Sequence, residues 1–367
     1  MRAIKTTLIL FMLLCVLSMG ANGASKEKPQ VENVIFMMTD GLRWHEVFKG
    51  ANADLLETGA GATPARLQFV KNTPQESREA LMPFVWKTMA KQGQVFGNKD
   101  KGSSAIVIND FKFSYPGYSE TLCGFADSRV DSNKKIPNPN QNVFEWLNAK
   151  PQFQGKVAAF GAWDLFPYII NRERSGVFVN AGYEPMPGKN LSKTYQLLNR
   201  LKAETIQYWK GEPFDSLTLE TGLEYLKTKK PRVFYMSLGE TDEWGHDGRY
   251  DLYLESAHKA DDAVKIVWET AQSMRKYRDK TLLIFSADHG RGDEGDGWKS
   301  HGVKHPGSES IWMAYMGPGV EPLGERSQTD TVSASQIAAT LSAALGQDYC
   351  ADVTRAGKPI NDVLKKK

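Results

Sequence analysis

Six short runs of apolar residues, at 34–38, 105–108, 156–160, 232–238, 281–286 and 311–315, constrain this chain most. They are continuous and do not alternate with polar positions. That pattern suits strands covered on both faces. Segments of helical periodicity lie between them at 142–149, 192–209, 250–274 and 332–345, the last closed by Gly346. Strand and helix in alternation imply an α/β fold, a mostly parallel central sheet with helices on both faces. Two polar stretches, 57–79 and 130–142, read as surface insertions or cap elements.

The 367 residues suit one large domain, and the net charge of +3 gives no bulk argument for nucleic acid. No basic block interleaved with aromatics marks a nucleic-acid-binding domain. The first residues differ in kind. A basic start (Arg2, Lys5) leads into an apolar run at 8–17, too short for a comfortable membrane span, and then into small residues up to Ala24. This reads as a signal peptide over 1–24, removed to leave a single catalytic domain at 25–367 with loop insertions and no stable membrane anchor. The expected location is periplasmic or secreted. Cys123 and Cys350 then remain, either bridged or separate.

In an open parallel sheet, ligands bind beyond the carboxyl ends of the strands. Three of the apolar runs end in metal-ligand residue types. Asp40 follows the first, Asp242 and His246 the fourth, Asp288 and His289 the fifth. His301 and His305 follow in a glycine-rich loop, so four of the six histidines fall within these loops. Oxygen and imidazole together favour zinc or another first-row divalent ion, and there are enough groups for two. A metal pair clamps the attacking and leaving oxygens of an in-line displacement. The segment 113–124 supplies hydroxyls. Pro116-Gly117 is expected to turn the chain and start a helix, which makes Ser119 the candidate nucleophile, with Thr121 as the alternative. Asn109 and Trp163, after the second and third runs, are candidate substrate contacts.

These residues resemble the alkaline phosphatase superfamily, most closely its nucleotide pyrophosphatase/phosphodiesterase-like branch. Asp40-Gly41 looks like the first metal-binding Asp-Gly. Tyr115-Pro116-Gly117-Tyr118-Ser119 looks like the nucleophile loop Phe-Pro-x-x-Tyr-Thr, one residue shorter. Asp242 to His246 resembles Asp-x-x-Gly-His, Asp288-His289-Gly290 resembles Asp-His-Gly, and His301-Gly302 the last histidine, for which His305 is the alternative. The resemblance implies one zinc on Asp242, His246 and His301, and another on Asp40, Asp288, His289 and Ser119. Sulfatases in this superfamily carry their nucleophile in a Cys-x-Pro-x-Arg run, and Cys123 lacks that proline.

The expected activity is hydrolysis of small phosphate esters through a phospho-enzyme on Ser119, with monoesters ahead of diesters or pyrophosphates. A non-catalytic, metal-containing binding protein of the same fold is the contrasting reading. Transfer of the phospho-group to an alcohol is a third.

Overall fold

The computed structural model describes residues 31–56 and 61–364. The segment 1–24, expected to be a signal peptide, and the lysine tail at 365–367 lie outside the described residues. Eleven strands are described: β1 (Asn33–Thr39), β2 (Gly93–Phe96), β3 (Ala105–Ile106), β4 (Val157–Gly161), β5 (Phe178–Ala181), β6 (Val233–Leu238), β7 (Thr281–Ala287), β8 (Ser310–Ile311), β9 (Met313–Met316), β10 (Gly324–Glu325) and β11 (Val332–Ser333). Eight form one sheet in the order β10-β2-β9-β7-β1-β6-β4-β5, and β11-β3-β8 form a small second sheet. Within the large sheet only β9 runs against its neighbours. The expected architecture is therefore the one observed.

β1 lies at the centre, paired in parallel with β6 and β7. Its side chains alternate between two cores. Ile35 and Met37 enter one, with Leu254, Ala257, Val264 and Val267 of the Tyr250–Ser273 helix. Val34, Phe36 and Met38 enter the other, with Tyr118 and Leu122 of the Ser114–Cys123 helix and Leu341 of the Ile337–Ala344 helix. Burial on both faces explains why this strand reads as an unbroken apolar run.

Several expectations change in detail. The second run forms only the two-residue β3, in the small sheet. The sixth is split at Trp312. Ile311 stays in the small sheet while Met313 joins the large one, and the buried indole donates to Leu42 O at 3.1 Å. At 332–345 the start is β11, because Ser333 caps the helical turn that follows through a capping box with Gln336. The 192–209 helix ends at Glu204. The stretch at 57–79 is not a simple surface insertion: it holds the Ala62–Phe69 and Pro74–Leu81 helices, and Phe69 and Leu81 are core residues. Cys123 and Cys350 are both free thiols. Among the described residues, no helix is long and apolar enough to cross a membrane.

Candidate metal centre

Strand ends deliver the first group. β1 stops at Thr39 and β7 at Ala287, so Asp40, Asp288 and His289 emerge side by side at the carboxyl edge, all buried. His289 Nε2 lies 3.1 Å from Asp40 Oδ1 and 3.4 Å from Asp288 Oδ2. The other ring nitrogen, Nδ1, donates to Gly290 O at 2.7 Å, which turns Nε2 towards the acids. Burial pulls this imidazole down, but Asp288 and Asp40 outweigh it and raise it to about 9. Burial, then Asp40, pushes the Asp288 carboxyl well above its ordinary range. Asp288 Oδ2 is fully buried and receives no hydrogen bond. Two acids this close, one with an orphaned oxygen, call for a cation.

A short helix delivers the second group. The Glu240–His246 helix follows β6, and Thr241 locks it to the end of β1: its hydroxyl meets Thr39 Oγ1 at 2.7 Å and donates to Asp40 O. Positions i and i+4 then put Asp242 and His246 on one face, with His246 Nε2 3.1 Å from Asp242 Oδ2. His301 arrives from the loop after β7. Its Nε2 lies 3.0 Å from His246 Nε2 and 3.5 Å from Asp242 Oδ1. Burial, then His289, pulls the His301 imidazole down to about 4, so it is neutral and suited to be a ligand. The His289 and His301 rings lie 4.1 Å apart, which joins the two groups into one centre. In each group of three, one ligand atom per residue lies within 4.8 Å of the others. This is a donor set of the kind that holds zinc-class divalent ions.

Gly41 lies between the groups. Its φ of +60° is a left-handed conformation, and its N–H donates to Asp288 Oδ1 at 3.0 Å. A Cβ there would fall 2.5 Å from Asp242 Oδ1. Arg291 escaped the sequence reading. It is fully buried, pairs with Asp242 Oδ1, and donates to the carbonyls of Trp298 and Lys299. It thus balances Asp242 and fixes the loop that returns His301. Against burial, Arg291 and then His301 hold the Asp242 carboxyl well below its ordinary range. One signal was in the sequence: its position two residues beyond His289.

The hydroxyl at this centre belongs to Ser114. Its Oγ lies 3.2 Å from both Asp40 Oδ1 and His289 Nε2. The helix starts at Ser114 because Pro116 sits in its first turn, where a missing N–H costs no hydrogen bond. Gly117 is not a turn residue. It is the point where the helix docks on β7, and a Cβ there would meet Asp288 O at 2.3 Å. Ser119, expected at the helix start, is therefore well inside it. It is 2 % exposed and bonds Asn138 Nδ2 at 3.0 Å and Cys123 Sγ at 3.8 Å, none of them in either group. Thr121 donates back to Gly117 O at 2.9 Å. Of the remaining candidates, His305 stands in neither group, while His301 does. The Asn109 amide is spent within the chain, donating to Glu120 Oε2 at 2.9 Å and accepting from Phe111 and Lys112 N–H. Trp163 is half-buried against the second core. Tyr118 was missed as well: its hydroxyl donates to Asp40 Oδ2 at 3.0 Å.

A mostly parallel α/β sheet with this edge is the architecture of the alkaline phosphatase superfamily. The sequence profile of the sulfatase family matches residues 32–346, and the chain belongs to that family. Among solved structures it is similar to the alkaline phosphatase PafA (TM-score 0.58, 11% identity, 92% of this chain and 99% of that one). It is also similar to the phosphonate monoester hydrolase SpPMH from Silicibacter pomeroyi (0.55, 13%, 90% and 76%). A third is the lipoteichoic acid synthase LtaP from Listeria monocytogenes (0.57, 12%, 88% and 73%). These likenesses are of fold. A curated relative, GPI ethanolamine phosphate transferase 1 of Emericella nidulans, is 32% identical over 115 residues, which span 30% of this chain and 12% of that protein's length.

Proposed function

We propose that this chain hydrolyses small phosphate esters, with Ser114 as the nucleophile in place of Ser119. The observation that carries this is the Ser114 hydroxyl at 3.2 Å from one acid and one imidazole of the first group. Asp40, Asp288, His289 and Ser114 would hold one divalent ion, and Asp242, His246 and His301 the other; zinc fits the donor types. Bound there, the pair lowers the hydroxyl's pKa and neutralises charge on the transferring group. Ser114 Oγ forms a bond to phosphorus as the bond to the ester oxygen breaks. The proton that the hydroxyl sheds is taken up, through solvent, by the departing oxygen. Water then attacks phosphorus from the side the alcohol left, which restores Ser114 and frees phosphate. Neither the cysteine nor the arginine of a Cys-x-Pro-x-Arg run is present: Ser114 and Tyr118 stand two residues either side of Pro116. This favours phosphate over sulfate esters.

The test is kinetic. With chromogenic phosphate monoesters and diesters, Ser114→Ala is expected to lose about a thousand-fold or more in kcat. Ser119→Ala is expected to stay within a few-fold of wild type. Full activity in Ser114→Ala would remove this serine from the chemistry. The likeness to a transferase supports a second reading, transfer to an alcohol, which is recognised by a new ester formed only when the alcohol is supplied. We also place the mature protein outside the cytoplasm; sequencing of exported material is expected to find its N-terminus near Gly23 or Ala24.

A further inference from the structure

The turn at 207–212 crosses the carboxyl edge of the sheet beside the metal centre. Gly211 O accepts from Asp164 N at 3.0 Å beyond β4, and the next residue, Glu212, reaches over the end of β6. There its carboxylate occupies the space that a Cβ on Gly239 would take, 1.4 Å from Oε1. Glu212 is 7 % exposed. Its only hydrogen bonds among the described residues are made by its backbone, and no cation pairs with it. The groups that act on it most are acids, Glu243, Asp40, Asp215 and Asp242, of which Asp40 and Asp242 would be held by the metal pair. Such a carboxylate is costly unless something positive arrives.

Aromatic rings close in from the same two segments. Tyr208, Trp209 and Phe214 flank Glu212, and Trp244 adjoins Glu243 on the helix that carries Asp242 and His246. Ring centroids lie 4.6 Å apart for Trp209–Trp244, 5.6 Å for Tyr208–Trp244 and 5.2 Å for Trp209–Phe214. Tyr208 keeps an exposed ring. A buried acid and a half-buried one beside a cluster of tilted and edge-on aromatic rings suit an organic ammonium better than a metal ion, which would need more oxygen ligands than Glu212 and Glu243 supply.

We propose that Glu212, with Glu243 and the rings of Tyr208, Trp209 and Trp244, forms a subsite for a positively charged ammonium group on the substrate's alcohol, so that the preferred esters are phosphates of amino-alcohols or quaternary ammonium alcohols. This rests on the phosphate-ester reading for its substrate, but the subsite is tested separately. Two esters are compared: phosphocholine, and its carbon isostere with tert-butyl in place of trimethylammonium. The wild type is expected to favour phosphocholine in kcat/KM by about ten-fold or more. Glu212→Gln should bring that ratio close to one, and the surface change Tyr208→Ala should lower it part of the way. In parallel, choline is titrated into the holoprotein and tryptophan fluorescence is followed. Saturable quenching that weakens about ten-fold in Glu212→Gln supports the subsite even if neither ester turns over, an outcome that would count against the hydrolase reading alone. A wild-type ratio near one, a ratio unmoved in Glu212→Gln, or a Glu212-dependent response to magnesium and none to choline would overturn it.

Discussion

Gly41 bears on whether the whole centre can assemble, and Arg291 on its second group. Gly41 has no room for a methyl group against Asp242 and Arg291, and its φ is left-handed. Gly41→Ala is therefore expected to lower thermal stability and to cut bound metal, measured by calorimetry and elemental analysis on the same sample. Arg291 acts more selectively. Removing it leaves Asp242 without its buried partner and frees the carbonyls of Trp298 and Lys299. Arg291→Leu should fall from two bound ions towards one, because the first group does not depend on it. Equal loss at both sites, or no loss, would contradict that division. At this scale the sequence was most informative where a side chain follows a strand directly, as Asp40 and Asp288 do. It misled at Ser119. Pro116 reads as a turn in the sequence, whereas it occupies the first helical turn and moves the hydroxyl at the helix start back to Ser114.

Helices and strands hold these residues in place through a few charged ties. Glu325 on β10 receives Arg78 Nη1 at 2.8 Å and Asn98 Nδ2 at 2.6 Å, and Lys101 Nζ lies 2.5 Å away. It binds the Pro74–Leu81 helix to the sheet edge. Burial pushes its carboxyl up, but these partners outweigh that and hold it down at about 2. An unfolded glutamate titrates near ~4.3. The unfolded chain thus takes up the proton first as pH falls. The stabilisation is present above about 4.3 and is lost as pH drops towards 2. Glu325→Gln should lower Tm at neutral pH and flatten its fall across that acid window. A parallel offset of the two curves would contradict the assignment. Elements with long apolar runs were legible because both faces are buried. The short β2 and β5 gave too few residues to signal. The Asp215–Lys229 helix was hidden because its buried face includes Thr218, Thr221 and Gly222. Gly222 lies flat against Met236, where a Cβ would come within 2.4 Å of its Cε.

For the molecule as a whole, the candidate metal centre would be a folding constraint as well as a chemical one. Asp40 and Asp288, at strand ends, and Asp242, on the helix after β6, are spread over more than two hundred positions and meet at one edge. A bound ion favours only the closed arrangement. At a free concentration a hundred times its Kd each ion contributes about 2.7 kcal/mol. Chelation is expected to lower Tm and abolish turnover together, and added zinc should restore both. Recovery of Tm without turnover would leave the metals structural. The fold class and the convergence of the acids and histidines could be read from where the apolar runs stop. The choice of hydroxyl, the role of Arg291 and the acid-aromatic corner could not, since each depends on helix register or on a turn crossing the sheet edge.

The central claim is that Ser114 attacks phosphorus. Rapid acid quench during turnover of a phosphate ester, followed by peptide mass spectrometry, tests it directly. The predicted result is phosphate on Ser114, absent from Ser114→Ala and unaffected by Ser119→Ala. Phosphate on Ser119 or Thr121, or a normal burst of alcohol with no phosphopeptide, would contradict it.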